Sequence, residues 1–245
     1  MTVSERPVAA PPVDGPTAGV AVQFLLLTAL AVGVGLGPVG WLTGAAYAMV
    51  TWLVLGRALR RAEMPLLGPA NQVTLARAAL VGGVAALVAD SLRRPVPVAV
   101  LVTLAIVALV LDAVDGQVAR RTGTTSALGA RFDMEVDAIL VLVLSVFVAR
   151  SLGGWVLAIG AFRYGFVAAA WALPWLKASL PPRFSRKTVA AIQGIVLAVA
   201  SSGVLPGPLA IGTVALALAL LVWSFGRDIG WLWRVRHRRA VELPA

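Results

Sequence analysis

Eight apolar runs, near residues 19–36, 38–56, 72–90, 96–114, 132–149, 153–175, 188–205 and 208–225, take up most of this 245-residue chain. Each is long enough to cross a hydrocarbon layer about 30 Å thick, which takes roughly 20 helical residues. Lipid offers no water to backbone N–H and C=O groups, so such runs fold as helices whose hydrogen bonds are internal. The expected fold class is therefore an all-α integral membrane protein with about eight spans. Composition agrees, since 60% hydrophobic and 13% charged residues lie far from soluble averages.

The first two runs are separated only by Gly37-Pro38, so they form either a tight hairpin or a re-entrant element. Ahead of them, residues 1–18 carry Pro7, Pro11, Pro12 and Pro16 without periodicity. That stretch reads as a disordered tail with no cleavable signal peptide. No internal repeat is evident.

Lys and Arg collect on alternate connections: Arg57, Arg60 and Arg61, then Arg120, Arg121 and Arg131, then Lys177, Arg183, Arg186 and Lys187. The tail with Arg227, Arg234, Arg236, Arg238 and Arg239 falls on the same side if eight spans are right, against Arg93, Arg94 and Arg150 on the other. Positive charge retained in the cytoplasm then puts both termini and the basic loops on the cytoplasmic face of a multi-pass protein of the cell membrane. The net charge of +10 sits in short loops, which suits anionic headgroups and phosphorylated substrates rather than nucleic acid. The chain has no Cys and one His, His237, in a charged tail, so disulfides, thiol catalysis and a Cys/His zinc site are excluded. Any metal must be held by oxygen.

Five of the 11 acidic residues fall between Asp112 and Asp137, in D-A-V-D-G-Q-V-A-R, eight residues, then G-A-R-F-D-M-E-V-D. Carboxylates at membrane depth are costly and mark function by default. Asp112 and Asp115 are three apart and Asp133 and Asp137 four apart, so each pair projects from one face of a helix. Asp112 ends one expected span and Asp133 opens the next, and the short connection keeps those ends close. Four carboxylates so placed repel one another unless cations or shared protons neutralise them, and a divalent metal is the simplest neutraliser. Oxygen ligation suits magnesium, manganese or calcium, and magnesium is usually shared between a few carboxylates and a substrate's phosphates. Gly116 and Gly129 leave room for a ligand to approach the backbone, and Arg120 offers a planar donor fork. Taken singly, a helix-end Gly is a cap and a loop Arg is a topology charge; the joint spacing argues otherwise. Glu135 points to another face, as a partner for Arg131 or a neighbouring basic group.

The pattern D-x2-D-G-x2-A-R-x8-G-x3-D-x3-D is met by Asp112, Asp115, Gly116, Ala119, Arg120, Gly129, Asp133 and Asp137. It resembles the signature of the CDP-alcohol phosphotransferase (phosphatidyltransferase) family. Asn71, Thr74 and Arg77, in N-Q-V-T-L-A-R, also look like that family's opening helix. The resemblance implies a six-helix catalytic core over residues 63–226, with an accessory two-helix segment at 19–62 and a basic cytoplasmic tail at 227–245. It implies that Asp112, Asp115 and Asp133 ligate a pair of divalent ions, Mg2+ or Mn2+, with Asp137 completing the metal site or serving as catalytic base. Gly116, Ala119, Arg120 and Gly129, joined by Asn71 and Thr74, would bind the nucleotide. The activity implied is displacement of CMP from CDP-diacylglycerol by a small alcohol, giving a phospholipid, in a homodimer. The reverse arrangement, a soluble CDP-alcohol attacked by diacylglycerol, uses the same site.

On the acceptor side, Arg163 interrupts an apolar span and is expected to face a polar cavity. With Lys187 and Arg186 it would suit the phosphate of a phosphorylated alcohol, although Arg183, Arg186 and Lys187 also read as topology determinants that meet headgroups. The two extra N-terminal helices could pack on the core, mediate dimer contacts or shield a lateral opening, and decoration of the core is the plainest reading. A transporter or channel would explain the carboxylates but not the fixed Gly, Ala and Arg positions. A noncatalytic relative would not need all four Asp residues.

Overall fold

A computed structural model describes residues 15–61, 69–122, 127–178 and 184–241, and all eight apolar runs fall in helices. These are α1 (Gly15–Val34), α2 (Pro38–Arg61), α3 (Pro69–Ser91), α4 (Val98–Thr122), α5 (Ala127–Leu152), α6 (Leu157–Ala172), α7 (Phe184–Ser201) and α8 (Gly207–Val241). Five of them, α1, α2, α3, α6 and α8, contain stretches long and apolar enough to cross a membrane; α4 holds a shorter apolar stretch, Val98–Val114. The chain is a multi-pass membrane protein. The N-terminal tail expected at 1–18 lies outside the described residues up to position 14, and Arg183 lies outside them as well.

Several helices depart from the apolar runs for local reasons. α4 continues eight residues past Val114, and α5 starts five residues before Phe132, so Asp112 and Asp133 sit inside helices rather than at their ends. The run at 153–175 breaks up: a single 3-10 turn at Gly154–Val156 precedes α6, and α6 stops before Pro174. Proline cannot donate to the ladder and pushes the residue before it away from the α region, and Leu173 accordingly has φ −122° and ψ 85°. α7 ends at Ser201, near Gly203 with φ 69°. α8 runs unbroken through Arg227 and at 35 residues is about 50 Å long by its rise per residue, well beyond a hydrocarbon layer.

The hub is α3, which packs against α1, α2, α4 and α5. Its Val73–Ser91 stretch is 78% buried, whereas the other four candidate spans are 17% to 28% buried and turn much of their apolar surface to lipid. Small residues make the close approach possible. A Cβ on Gly82 would lie 2.4 Å from Gln23 Oε1, and one on Gly83 would lie 2.8 Å from a methyl carbon of Leu26, both on α1. Without a hydrophobic drive between helices in lipid, such close packing is what holds them together. The first two helices pack on each other and are seated on α3.

The hairpin is fastened at its turn. Gly35 has φ 68°, a left-handed conformation that glycine adopts without steric cost, and the Leu36 amide donates back to the Leu30 carbonyl at 3.3 Å. Asp90, buried near the end of α3, accepts the Gly37 amide at 3.0 Å and the Arg94 Nε at 2.5 Å. Arg94 also reaches the Gly35 carbonyl, and Arg150 on α5 donates to Ser91 at 2.7 Å. The carboxylate thus stands at the start of α2, where a helix dipole favours negative charge. Replacing Asp90 with Ala should destabilise the protein by about 1–3 kcal/mol, because a buried amide and an adjacent Arg lose their acceptor. Thermal unfolding in detergent checks this, and an unchanged midpoint would remove the latch from the account of the hairpin.

Candidate active site

Thirteen residues before Asp90 on α3, one side chain organises the acidic cluster. Arg77 is 1% exposed and lies inside α3, at the start of its long apolar stretch. A buried guanidinium is tolerable only when paired, and three carboxylates pair with it. Its Nη1 lies 2.9 Å from Asp112 Oδ1 on α4 and also pairs with Asp133 Oδ1 on α5; its Nη2 pairs with Asp137 Oδ1, one turn further along α5. Helical spacing puts Asp133 and Asp137 on the face of α5 that meets α3, and α3 meets α4 as well. The carboxylates of α4 and α5 therefore converge on a side chain from the helix that both of them touch.

The three Asp side chains are 38%, 32% and 40% exposed, so Arg77 closes the inner side of the cluster and leaves an approach from outside. Three negative groups and one positive leave a formal charge of −2. Asp112, Asp133 and Asp137 each offer a carboxylate oxygen, and these atoms lie within 4.8 Å of one another. A donor set of oxygens at that separation fits a hard divalent cation such as magnesium or manganese.

Of the residues singled out in the sequence, the structure brings together Asp112, Asp133 and Asp137. Thr74 is buried one turn before Arg77 on α3, and Gly129 is half-buried at the start of α5. The side chains of Asn71, Asp115, Gly116, Ala119 and Arg120 lie outside the described residues, though α3 and α4 run through those positions.

The basic residues expected on the acceptor side are distributed differently from one another. Arg163 on α6 pairs with Glu135 on α5, the face of α5 turned away from Asp133 and Asp137. Glu135 thus finds its cation on a neighbouring helix rather than in Arg131. Arg186 on α7 lies 3.6 Å from Asp228, a buried carboxylate on α8, and Arg227 donates to Ser185 at 2.8 Å while stacking 4.7 Å over the Trp223 ring. Lys187 is exposed. Arg77 and Asp228 were the residues whose partners sequence reasoning missed. The signal for both was available, since a charge inside an apolar helix requires a counter-charge, but the sequence does not say which.

A family model described as CDP-alcohol phosphatidyltransferase matches residues 67–225. Neither a curated protein nor a solved structure matches the chain.

Proposed function

The chain belongs to the CDP-alcohol phosphatidyltransferase family, whose members transfer substituted phosphate groups, and from that membership we propose that it displaces CMP from CDP-diacylglycerol with a small, phosphorylated alcohol. The observation that carries the reading is the convergence of Asp112, Asp133 and Asp137 within 4.8 Å at the open side of a buried arginine. These three, with Asp115, would hold two divalent ions, Mg2+ or Mn2+. When bound, such ions neutralise charge on the donor's diphosphate and on the departing CMP.

The chain's own residues supply the rest. Asp137, 40% exposed, stands where an acceptor hydroxyl can reach it, and it takes the hydroxyl proton as the acceptor oxygen bonds to the phosphatidyl phosphorus. The bond from that phosphorus to the CMP oxygen breaks, and CMP leaves with the electron pair. Asn71, Thr74, Gly116, Ala119, Arg120 and Gly129 would position the cytidine nucleotide. Arg163, Lys187 and Arg186 would receive the acceptor's phosphate, with Arg163 shared between that phosphate and Glu135. Positioning and charge neutralisation account for most of the catalysis in phosphoryl transfer.

In this reading all eight helices span the cell membrane, with the Asp cluster and both termini in the cytoplasm, and the enzyme works as a homodimer. Residues 63–226 form the six-span catalytic core, 19–62 the accessory pair, and 1–18 and 227–245 cytoplasmic tails. Asp90 lies near the C-terminal end of α3 and Arg77, which holds the Asp cluster, lies 13 residues before it, a separation that is compatible with one acidic, catalytic side and one side built from connections.

The purified protein with labelled CDP-diacylglycerol and a panel of alcohols should release CMP and form one phosphatidyl product. Excess chelator should abolish release and added Mg2+ or Mn2+ restore it. Full-rate CMP release in chelator would end the metal-dependent reading. Product formation only from a soluble CDP-alcohol and diacylglycerol would reverse the roles of donor and acceptor.

A further inference from the structure

We infer that Arg77 is a resident counter-ion that competes with divalent cations for Asp112, Asp133 and Asp137, and so holds down the metal affinity of the site. The inference deepens the proposed function and rests on its reading of the cluster as a cation site. Arg77 touches one oxygen of each of the three carboxylates, and a hard cation would draw on the lone pairs of the same groups. Its positive charge repels any cation brought into that space.

Burial makes the competition strong. At 1% exposure the guanidinium has almost no water to fall back on, so every carboxylate drawn toward a metal leaves its charge less compensated. Nor can it retreat far, because α3 is held by α1, α2, α4 and α5. A phosphorylated ligand relieves the conflict by bringing negative charge of its own to both the cation and the guanidinium. Arg77 therefore favours metal that arrives with a diphosphate over metal alone. It acts through the carboxylates and is a positioning residue in that sense.

The alternative is that Arg77 only scaffolds the aspartates, holding three like charges in ligand geometry. The two roles predict opposite signs for metal affinity. Mn2+ binding to the purified wild-type protein, Arg77→Gln and Arg77→Lys is measured by calorimetry or by the electron paramagnetic resonance of free Mn2+, without nucleotide. Competition predicts that Arg77→Gln binds Mn2+ roughly tenfold or more tightly than wild type, with Arg77→Lys between them, since lysine keeps the charge but cannot span three carboxylates. It also predicts that adding CDP strengthens Mn2+ binding less in Arg77→Gln than in wild type. Scaffolding predicts weaker binding in both variants. Because the lysine variant retains a compensating charge for the buried cluster, it decides the sign even if the glutamine variant does not fold. Equal or weaker Mn2+ binding by folded Arg77→Lys overturns the inference and leaves the cation site standing. A wild-type protein that binds no Mn2+, with or without CDP, removes the cation site and the inference together.

Discussion

Asp133→Ala should lower CMP release by about 10³-fold or more while leaving a folded protein in the membrane. Asp133 is shared between the candidate cation site and Arg77, yet its loss leaves Asp112 and Asp137 against the guanidinium, so the buried charge stays compensated. The expected signature is an inactive enzyme with a near-normal unfolding midpoint. Asp137→Asn should separate the second role. The amide oxygen still accepts from Arg77 but the group cannot take a proton, so turnover should fall by about 10²- to 10⁴-fold with CDP binding retained. Loss of CDP binding in that variant would make Asp137 a structural ligand instead of a base. Wild-type CMP release by Asp133→Ala would detach the cluster from the chemistry altogether.

Gly160→Val should cost the fold about 3 kcal/mol, the largest single-residue effect expected on stability. A Cβ at Gly160 would lie 2.5 Å from Leu142 Cα and 2.4 Å from Ser145 Oγ, both on α5. The first obstacle is backbone, which no rotamer change relieves, and the second is held by its own bond to the Leu142 carbonyl at 2.7 Å. α6 must therefore move off α5. One turn along α6 is Arg163, whose pairing with Glu135 depends on the same approach, so displacement also breaks a charge pair between α6 and α5. The unfolding midpoint should drop by roughly 10 °C. Gly212→Ala on α8 is the control, because beyond the backbone of its own helix turn no atom of the described residues lies within 4 Å of a Cβ there. Equal losses at the two positions would show that close packing at Gly160 is not the cause.

Much of this was legible in the chain. Apolar run length gave eight helices, because lipid leaves the backbone no other way to satisfy itself. The fixed spacing of Asp112, Asp133 and Asp137 gave three of the groups that converge, because helical periodicity turns a spacing into a face. Helix ends were less legible. Hydropathy marks where a helix can sit in lipid, and α4, α5 and α8 continue as polar helix beyond that zone. The breaks around α6 were signalled only by Pro174 and by the glycines at 153 and 154.

The sequence by itself determined that the chain lives in a bilayer, that it is helical, and that acidic groups gather on two consecutive helices. Those are consequences of composition and period, which act along the chain. Only the tertiary structure decided that α3 is the helix that joins the two, that Arg77 stands among the carboxylates, and that Glu135 answers Arg163 while Asp228 answers Arg186. Counter-charges are chosen by which helices pack, and packing depends on small residues such as Gly82, Gly83 and Gly160 whose partners are remote in sequence.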